Sequence, residues 1–576
     1  MKVILTALNA KYIHSSLALR SLKAYADPEG KYTHIREYTI NNRIEFIVSD
    51  IYKEKPDYIG FSCYIWNIDM IKIIARRLKK VLPNTLMAFG GPEVSYDGAE
   101  FLRENPFADI IMKGEGEGTY KKLLTLWSEG GNYAGIKGII YRNGDEIIEN
   151  ENAEPMCLDD IPFVYDNADE FRNKIIYYET QRGCPYNCQY CLSSVEKGVR
   201  FLSEERVKSD IKFFIDNKVK QVKFVDRTFN ANHNHAMMIW KYIMDNDNGV
   251  TNFHMEITAD IMRDEAMDML KNARKGLFQF EIGVQSTNEL TINAIQRNAK
   301  FGGITGVVKK VAEGGNIHQH LDLIAGLPYE GYESFGRSFN DVYNLEPEQL
   351  QLGFLKLLRG SGLRKDASKY GIVYADEAPY EVLYTKELSY DEMLKLKAVE
   401  EMVETFYNSG KALTAVKYAI EKLGNPFKFF EDLSVWWGTN GFDEVSHGKM
   451  DLYAKVFDFF RQYEPLRIYE KQLKELLRYD IYVGDNMKTI PESIDRVMGE
   501  EERAFERDFY MSEENTAKYV PSLSSYSPKQ LLRMCRIEFF EINPFTKEEK
   551  KTAVLFNYYN RDTISNKAET AVVWEE

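Results

Sequence analysis

The chain is poor in cysteine, with six among 576 residues. It has no run of about 18 apolar residues, the length a helix needs to span a bilayer. It has no basic excess either: 74 Lys and Arg stand against 88 Asp and Glu, for a formal charge of -14. Each absence excludes something. Without a long apolar run, nothing is expected to cross a membrane. An acidic surface disfavours broad binding to nucleic acid or anionic membrane, although it leaves room for a local basic groove. The first residues, MKVILTALNAKYIH, read as a strand entering a loop and lack the apolar core and small-residue cleavage site of a signal peptide. With no export signal and clustered thiols, a disulfide framework is not expected, and the reducing cytoplasm is the expected compartment.

The first third alternates strand and helix. KVILTALN, HIREYTI, DYIGFSCY, TLMAFGG and ADIIMKGEGEGT read as strands, and each leads into a helical pattern. Five such pairs predict a parallel sheet covered on both faces. Ligands of such sheets bind in loops at the carboxyl ends of the strands. Those loops hold Ser62 to Trp66, Gly90-Gly91-Pro92 with Glu93, and Gly114-Glu115-Gly116-Glu117. Glycine lets backbone approach a ligand closely, but it also serves tight strand-to-helix turns. The first strand is not followed by G-x-G-x-x-G, so a nicotinamide site is not indicated. Asn143-Gly144, between two short apolar runs, predicts a hairpin. Residues 152–173 lose periodicity and read as a linker.

The middle third holds three of the six cysteines in QRGCPYNCQYC, at 184, 188 and 191. Cys-x3-Cys-x2-Cys is one ligand short of a closed structural zinc site. On a four-iron cluster, three thiolates leave one iron open to a further ligand. Spacing leaves both metals possible and favours the cluster, because the His or Glu motif of three-cysteine catalytic zinc is missing nearby. Around this loop the pattern is again strand and helix in the manner of a barrel or partial barrel. Active sites of barrels lie at the carboxyl ends of the strands. Asp226, Glu256, Gln285 and Asp322 fall at or near such ends and are expected to line one cavity with the thiols.

Cys184-x3-Cys188-x-Tyr190-Cys191 resembles the signature of the radical S-adenosylmethionine (SAM) superfamily. The resemblance runs from about Tyr177 to about Leu363 and includes VKFVDRTFN, IGVQSTNELTINAIQR and LDLIAGLPYE. PDYIGFSCY, AFGGPEV and KGEGEGT resemble the cobalamin-binding domain that precedes the barrel in one large branch. The architecture implied is a Rossmann-like, doubly wound cobalamin domain over 1–135, a hairpin and linker over 136–173, a radical SAM partial TIM barrel over 174–378, and a mainly helical substrate or lid domain over 379–576. Cys184, Cys188 and Cys191 are implied to ligate a [4Fe-4S] cluster whose open iron chelates SAM. Reduction then cleaves SAM to a 5'-deoxyadenosyl radical.

The same resemblance implies SAM contacts. Tyr190 would lie over the adenine and Tyr178 beside it. Asp226 occupies the place of a Gly-Gly-Glu stretch whose glycines are missing here. Glu256 and Gln285 would hold the ribose or amine. Arg297 would pair with the SAM carboxylate, which a guanidinium fork suits. Asp322 matches an acidic position. Ser62, Gly90, Gly91, Pro92, Gly114, Glu115, Gly116 and Glu117 are the implied cobalamin contacts. The Asp-x-His-x-x-Gly string that supplies a lower cobalt ligand in methionine synthase and the mutases is absent. His14 lies in the loop after the first strand and reads more plainly as a helix-flanking residue than as a cobalt ligand. Cys63 reads as a small buried side chain.

From about Pro379 the pattern turns to amphipathic helices, with RIEFFEIN and AVLFNYYN as a possible strand pair. No metal, phosphate or nucleophile motif is evident there, and Cys535 stands alone. The resemblance implies an enzyme that methylates an unactivated carbon of a small molecule, peptide or other substrate, with a low-potential electron donor such as flavodoxin or ferredoxin. A cobalamin-dependent rearrangement, cyclisation or ring contraction is the second reading. A non-catalytic cobalamin or redox sensor is the third, disfavoured because electron transfer is best served by a closed four-cysteine site.

Overall fold

The computed structural model describes residues 1–165, 167–195 and 198–576. It comprises two compact units. One is Met1–Ile317 with Gly326–Glu330 and Phe354–Ser389; the other is His318–Ala325, Gly331–Gly353 and Tyr390–Glu576.

In the first unit, strands β1 (Val3–Asn9), β2 (Thr33–Thr39), β3 (Tyr58–Ser62), β4 (Leu86–Gly90) and β5 (Ile110–Met112) pair in parallel in the order β2-β1-β3-β4-β5. Every residue of β1 is buried, as a near-continuous apolar strand of a two-sided parallel sheet should be. The helix Ile68–Val81 buries Ile68, Ile71, Ile74, Ala75 and Leu78, the i, i+3, i+4 stripe of its sequence. That stripe packs on one face of the sheet with Ile47 and Phe89. Leu19, Leu22, Tyr120 and Leu123 cover the other. The strand order reverses between β1 and β3, and the crevice at such a reversal is where open α/β sheets bind ligands. The hairpin forms as β6 (Ile139–Asn143) and β7 (Glu146–Glu149), with Gly144 at φ 60° in the turn. It adds antiparallel to the β5 edge, so the sheet has seven strands.

Further along this unit come β8 (Ile176–Tyr178), β9 (Gln181–Arg182), β10 (Arg200–Phe201), β11 (Gln221–Phe224), β12 (Asn252–Ile257) and β13 (Phe278–Gln285). β8, β11, β12 and β13 form a parallel run in that order. Its two faces differ. Ile176, Tyr178, Val222, Phe224, Phe253, Met255, Phe278 and Phe280 are buried on one. The alternate residues Tyr177, Lys223, His254, Glu256 and Glu281 line the other, with Tyr177, Lys223 and His254 in register. A sheet of period two thus has one apolar side and one polar side. β9 and β10 are a short antiparallel pair that closes the stem of the cysteine loop, with Arg182 opposite Arg200.

The second unit is mainly helical, with helices at Tyr390–Val403, Leu413–Leu423, Pro426–Thr439, Lys449–Gln462 and Glu470–Gly484. Asp480, 1% exposed, accepts the Thr414 and Ala415 N–H groups at 3.1 and 3.0 Å. It caps from a distance a helix whose own N-cap, Ala412, has no acceptor side chain. Cys535–Phe540 and Thr552–Arg561 pair antiparallel, and Ala568–Glu575 joins as a third strand. Cys535 is buried at the start of its strand. Among the described residues, no helix is long and apolar enough to cross a membrane.

Candidate active site

The cysteine loop is built on a rigid stem. Gly183 has φ +95°, and a Cβ there would run into the Gly198 carbonyl oxygen, so the R-G-C step needs its glycine. Above the stem, Gln189 N–H donates to the Ile295 carbonyl at 2.9 Å, and Leu363 N–H donates to the Gln189 carbonyl at 2.8 Å. Cys184 and Cys191 are partly exposed, Cys188 is buried, and all three thiols are free. Among the described residues, no three His, Cys, Asp or Glu side chains converge as one metal ion requires. A single zinc needs every donor about 2.0–2.3 Å from one point. Three thiolates that each meet a different iron of a cluster can stand further apart, so the donor set fits a cluster better than zinc.

Arg297 lies against this loop. Its Nη1 donates to the Tyr190 hydroxyl at 3.1 Å and stands 3.9 Å from Cys188 Sγ, and its Nη2 donates to the Gly283 carbonyl. Burial raises the Cys188 thiol pKa, and the neighbouring guanidinium opposes that rise. The Gln285 amide lies over Gly283, in the space a Cβ there would take. Gln285 itself holds φ 71°, a conformation that costs a non-glycine residue on the order of 1–3 kcal/mol. Among the described residues, three buried polar atoms here lack a partner: Gln285 Oε1, Arg297 Nε and Asp260 Oδ1. Strained backbone and unpartnered buried polar groups beside the thiols mark a cradle for a polar ligand. Cys184 Sγ lies 3.6 Å from Thr228 Oγ1.

Two sequence expectations are corrected by the fold. Tyr178 is on the apolar, helix-covered face of β8, edge-on to Phe214 and Phe224, and its hydroxyl donates to Asp210 at 3.0 Å. The polar face carries Tyr177 instead. Asp226 has no exposed surface; it accepts the Thr180 and Gln181 N–H groups at 2.8 and 3.1 Å and the Thr180 hydroxyl. It anchors the start of the cysteine loop from behind and offers no surface to a ligand. Glu256 is half-buried on the polar face, in register with Glu281. Asp322 belongs to the second unit, where it lies 3.1 Å from His320.

The polar face holds a charge network that sequence reasoning missed. Glu281 accepts from Lys223 Nζ and lies at the same distance, 3.0 Å, from His254 Nε2. Burial would raise the Glu281 carboxyl, but these two partners overrule it and hold it at about 2. The alternation of polar residues in QVKF, FHMEI and FQFEIG was the available signal. Tyr177 links this face to the first sheet: its hydroxyl is 2.6 Å from His14 Nδ1. Burial lowers the His14 pKa, with Lys11 and Lys223 adding to the effect.

At the carboxyl ends of β3, β4 and β5, Ser62 is buried and Cys63 is wholly so. Gly91, at φ 108°, passes so close to the Cys63 carbonyl that a Cβ would not fit, and Pro92 opens a short helix. Glu93 is turned inward, accepting from the Tyr380 hydroxyl at 2.9 Å. Gly114 has φ 65° with open space where a Cβ would lie, and Gly116 packs against Leu22. Trp66, 46% exposed, stacks on Tyr64 at 4.5 Å and spans the β1/β3 crevice by donating to the Leu8 carbonyl at 3.0 Å. Close backbone approach and an exposed aromatic plane at the switch point fit a large flat ligand. Glu115 and Glu117 do not face that crevice as free acids. Glu117 pairs with Arg182 at 2.7 Å, and Glu115 pairs with Arg200 and with Arg182.

Residues 3–124 match the family profile described as B12 binding domain, residues 178–342 that of the Radical SAM superfamily, and residues 368–556 a protein of unknown function, DUF4080. The chain is 27% identical over 311 residues to the cobalamin-dependent radical SAM methyltransferase TokK of Streptomyces tokunonensis, covering 49% of this chain and 44% of TokK. It is 29% identical over 326 residues to the anaerobic magnesium-protoporphyrin IX monomethyl ester cyclase of Synechocystis, covering 53% of this chain and 62% of the cyclase. The chain thus spans about half the length of the curated relatives it matches. Its fold is similar to that of the cobalamin-dependent SAM radical enzyme OxsB, solved with aqua-cobalamin and SAM bound: TM-score 0.60, 13% identity, 91% of this chain and 84% of that one. The three-thiol loop thus falls at the start of a region that matches the Radical SAM superfamily, preceded by a match to the B12 binding domain and followed by one to DUF4080.

Proposed function

We propose that the chain is a cobalamin-dependent radical SAM enzyme that methylates an unactivated carbon. The observation that carries this reading is the open three-thiol loop beside Arg297 and Gln285, in one compact unit with a B12 binding domain. When bound, a [4Fe-4S] cluster, SAM and cobalamin supply one-electron cleavage of SAM and delivery of a methyl group from cobalt. Cys184, Cys188 and Cys191 hold the cluster. The Arg297 guanidinium, fixed by Tyr190 and Gly283, offers Nε–H to the SAM carboxylate. Gln285 Oε1 accepts from the SAM ammonium or ribose, and Tyr190 packs against the adenine. Ser62 and the loops of Gly90, Gly91 and Pro92 and of Gly114 and Gly116 hold the corrin, with backbone close to the ligand. The polar face of Tyr177, Lys223, His254, Glu256 and Glu281 forms the wall of the chamber, and the Lys223–Glu281–His254 network keeps it ordered. A low-potential one-electron donor such as flavodoxin or ferredoxin is the partner this chemistry needs, and a small molecule or peptide is the substrate.

The similarity to the cyclase supports a second reading, radical cyclisation or rearrangement without methyl transfer. Anaerobic incubation of reconstituted protein with reductant, SAM and cobalamin separates the two. 5'-Deoxyadenosine together with S-adenosylhomocysteine is the outcome expected for a methyltransferase. 5'-Deoxyadenosine without S-adenosylhomocysteine favours the second reading, and absence of both ends the radical SAM assignment of activity.

A further inference from the structure

The cysteine loop and the loop after β5 share one buried ion cluster. Arg182 and Arg200 face each other across the two strands of the loop's stem. Arg182 makes a two-pronged contact with Glu117, Nη2 to Oε1 at 2.7 Å and Nη1 to Oε2 at 3.3 Å, and its Nε meets both oxygens of Glu179 at 3.0 Å. Arg182 also approaches Glu115 at 3.3 Å. Glu115 is bonded to Arg200, which donates in addition to the Met156 carbonyl at 2.6 Å. Glu115 accepts the Met156 N–H at 3.2 Å. The side chains of Arg182, Glu115 and Glu117 are 16%, 13% and 6% exposed.

Five charges gathered where water is partly excluded, with Glu179 25% and Arg200 33% exposed, are a poor source of stability, because desolvation offsets much of their attraction. What such a cluster does well is to fix register: each fork has one good geometry. Both feet of the stem are held, and they are held to the same short loop. Arg182 precedes Gly183 and Cys184 directly, and Gly183 is pressed against the Gly198 carbonyl, so the stem has little slack between the guanidinium and the first thiol.

We infer that Arg182, Arg200, Glu115 and Glu117 are positioning residues that set the distance between the two cofactor sites. The inference rests on the proposed function, in which the thiols carry a cluster and the β3, β4 and β5 loops carry cobalamin. Acids that appear in the sequence as cobalamin contacts serve instead to join the corrin loop to the cluster loop.

The test reads that distance without turnover. The reduced cluster and cob(II)alamin each carry an unpaired electron, and their dipolar coupling, measured by pulsed paramagnetic resonance, reports their separation and its spread. The holoprotein is compared with Arg182→Gln, and with Glu115→Gln and Glu117→Gln, which keep side-chain shape if the arginine variant does not fold. The expected result is full cluster and cobalamin content, a shifted or widened distance distribution, and a fall of on the order of tenfold in methyl groups transferred per 5'-deoxyadenosine, since misplacement by about 1 Å can cost up to ~10²-fold. An unchanged, narrow distribution in loaded variants overturns the positioning role and leaves the enzyme assignment standing. A wild-type protein that takes up neither cofactor overturns both.

Discussion

Thr180 gives its backbone N–H, at 2.8 Å, and its hydroxyl to one carboxylate, that of Asp226, in a place with no exposed surface. The Gln181 N–H joins them at 3.1 Å. These bonds tie the strand that launches the cysteine loop to the end of β11. Burial pushes the Asp226 carboxyl up to about 7, against the pull of the same bonds. A folded pKa above the unfolded value of about 3.9 means the charged form is disfavoured on folding. The penalty is therefore absent below pH 4, grows between about 4 and 7, and is complete above. Thermal unfolding of the apoprotein is expected to show wild type losing stability across that window, with Asp226→Asn flatter because an amide does not titrate, while its oxygen still accepts both N–H groups. Asp226→Ala should be destabilised throughout, by about 2–3 kcal/mol for the unpaired donors. Parallel pH profiles for wild type and Asn would refute the assignment.

Arg297 bridges the Tyr190 hydroxyl, the Gly283 carbonyl and the edge of Cys188. A lysine cannot reach these at once and still offer a further N–H to a carboxylate. Loss of one charge-assisted bond corresponds to about 1.5–3 kcal/mol, or tenfold and more in affinity. Arg297→Lys should weaken SAM binding by that factor with cluster content intact. Equal SAM affinity under anaerobic conditions would remove Arg297 from the site.

The thiols can be tested with their stem. Replacing Cys184, Cys188 and Cys191 together by Ala should abolish the brown absorbance and all SAM cleavage. Gly183→Ala should lower cluster incorporation while cobalamin still binds, because an added Cβ meets the Gly198 carbonyl at a positive φ. A full cluster in the triple variant would move the ligands elsewhere.

His14 is held by Tyr177 at 2.6 Å. That contact engages Nδ1 alone, but the Asp-x-His-x-x-Gly string is absent, so cob(II)alamin bound to the protein should show no nitrogen superhyperfine splitting from a protein imidazole. A nitrogen triplet that vanishes in His14→Ala would make His14 a cobalt ligand.

The parallel sheet, the hairpin and the thiol loop were legible in the sequence because each rests on local signals: periodicity, Asn143-Gly144 and cysteine spacing. What was not legible depends on phase and on partners far along the chain. Tyr177 and Tyr178 are equally plausible in IIYYET; only pairing of Lys223 with Tyr177 decides which lies on the polar face. Asp226 reads as an outward strand-end acid until the Thr180 donors behind it are seen. Glu115 and Glu117 read as loop acids near a ligand, and their partners lie 65 to 85 residues away. No window of sequence contains both ends of such a bond. The Gly-rich loops were found, but whether a given glycine turns tightly, like Gly144, or admits a close approach, like Gly91, needed coordinates.

The ion cluster at the stem also bears on modularity. Family boundaries invite the barrel to be cut free as an independent piece. Deleting residues 1–135 would take Glu115 and Glu117 away and leave Arg182 with Glu179 alone and Arg200 with only the Met156 carbonyl. It would also remove His14 from Tyr177 and the Ile13 carbonyl from the Ile175 N–H. The deletion would open both arginines to water, so the loss is less one of energy than of the forks that fix the stem's register. The first sheet is thus part of what holds the stem of the thiol loop in place, and a graft of this barrel onto another corrin domain would have to bring two acids with it.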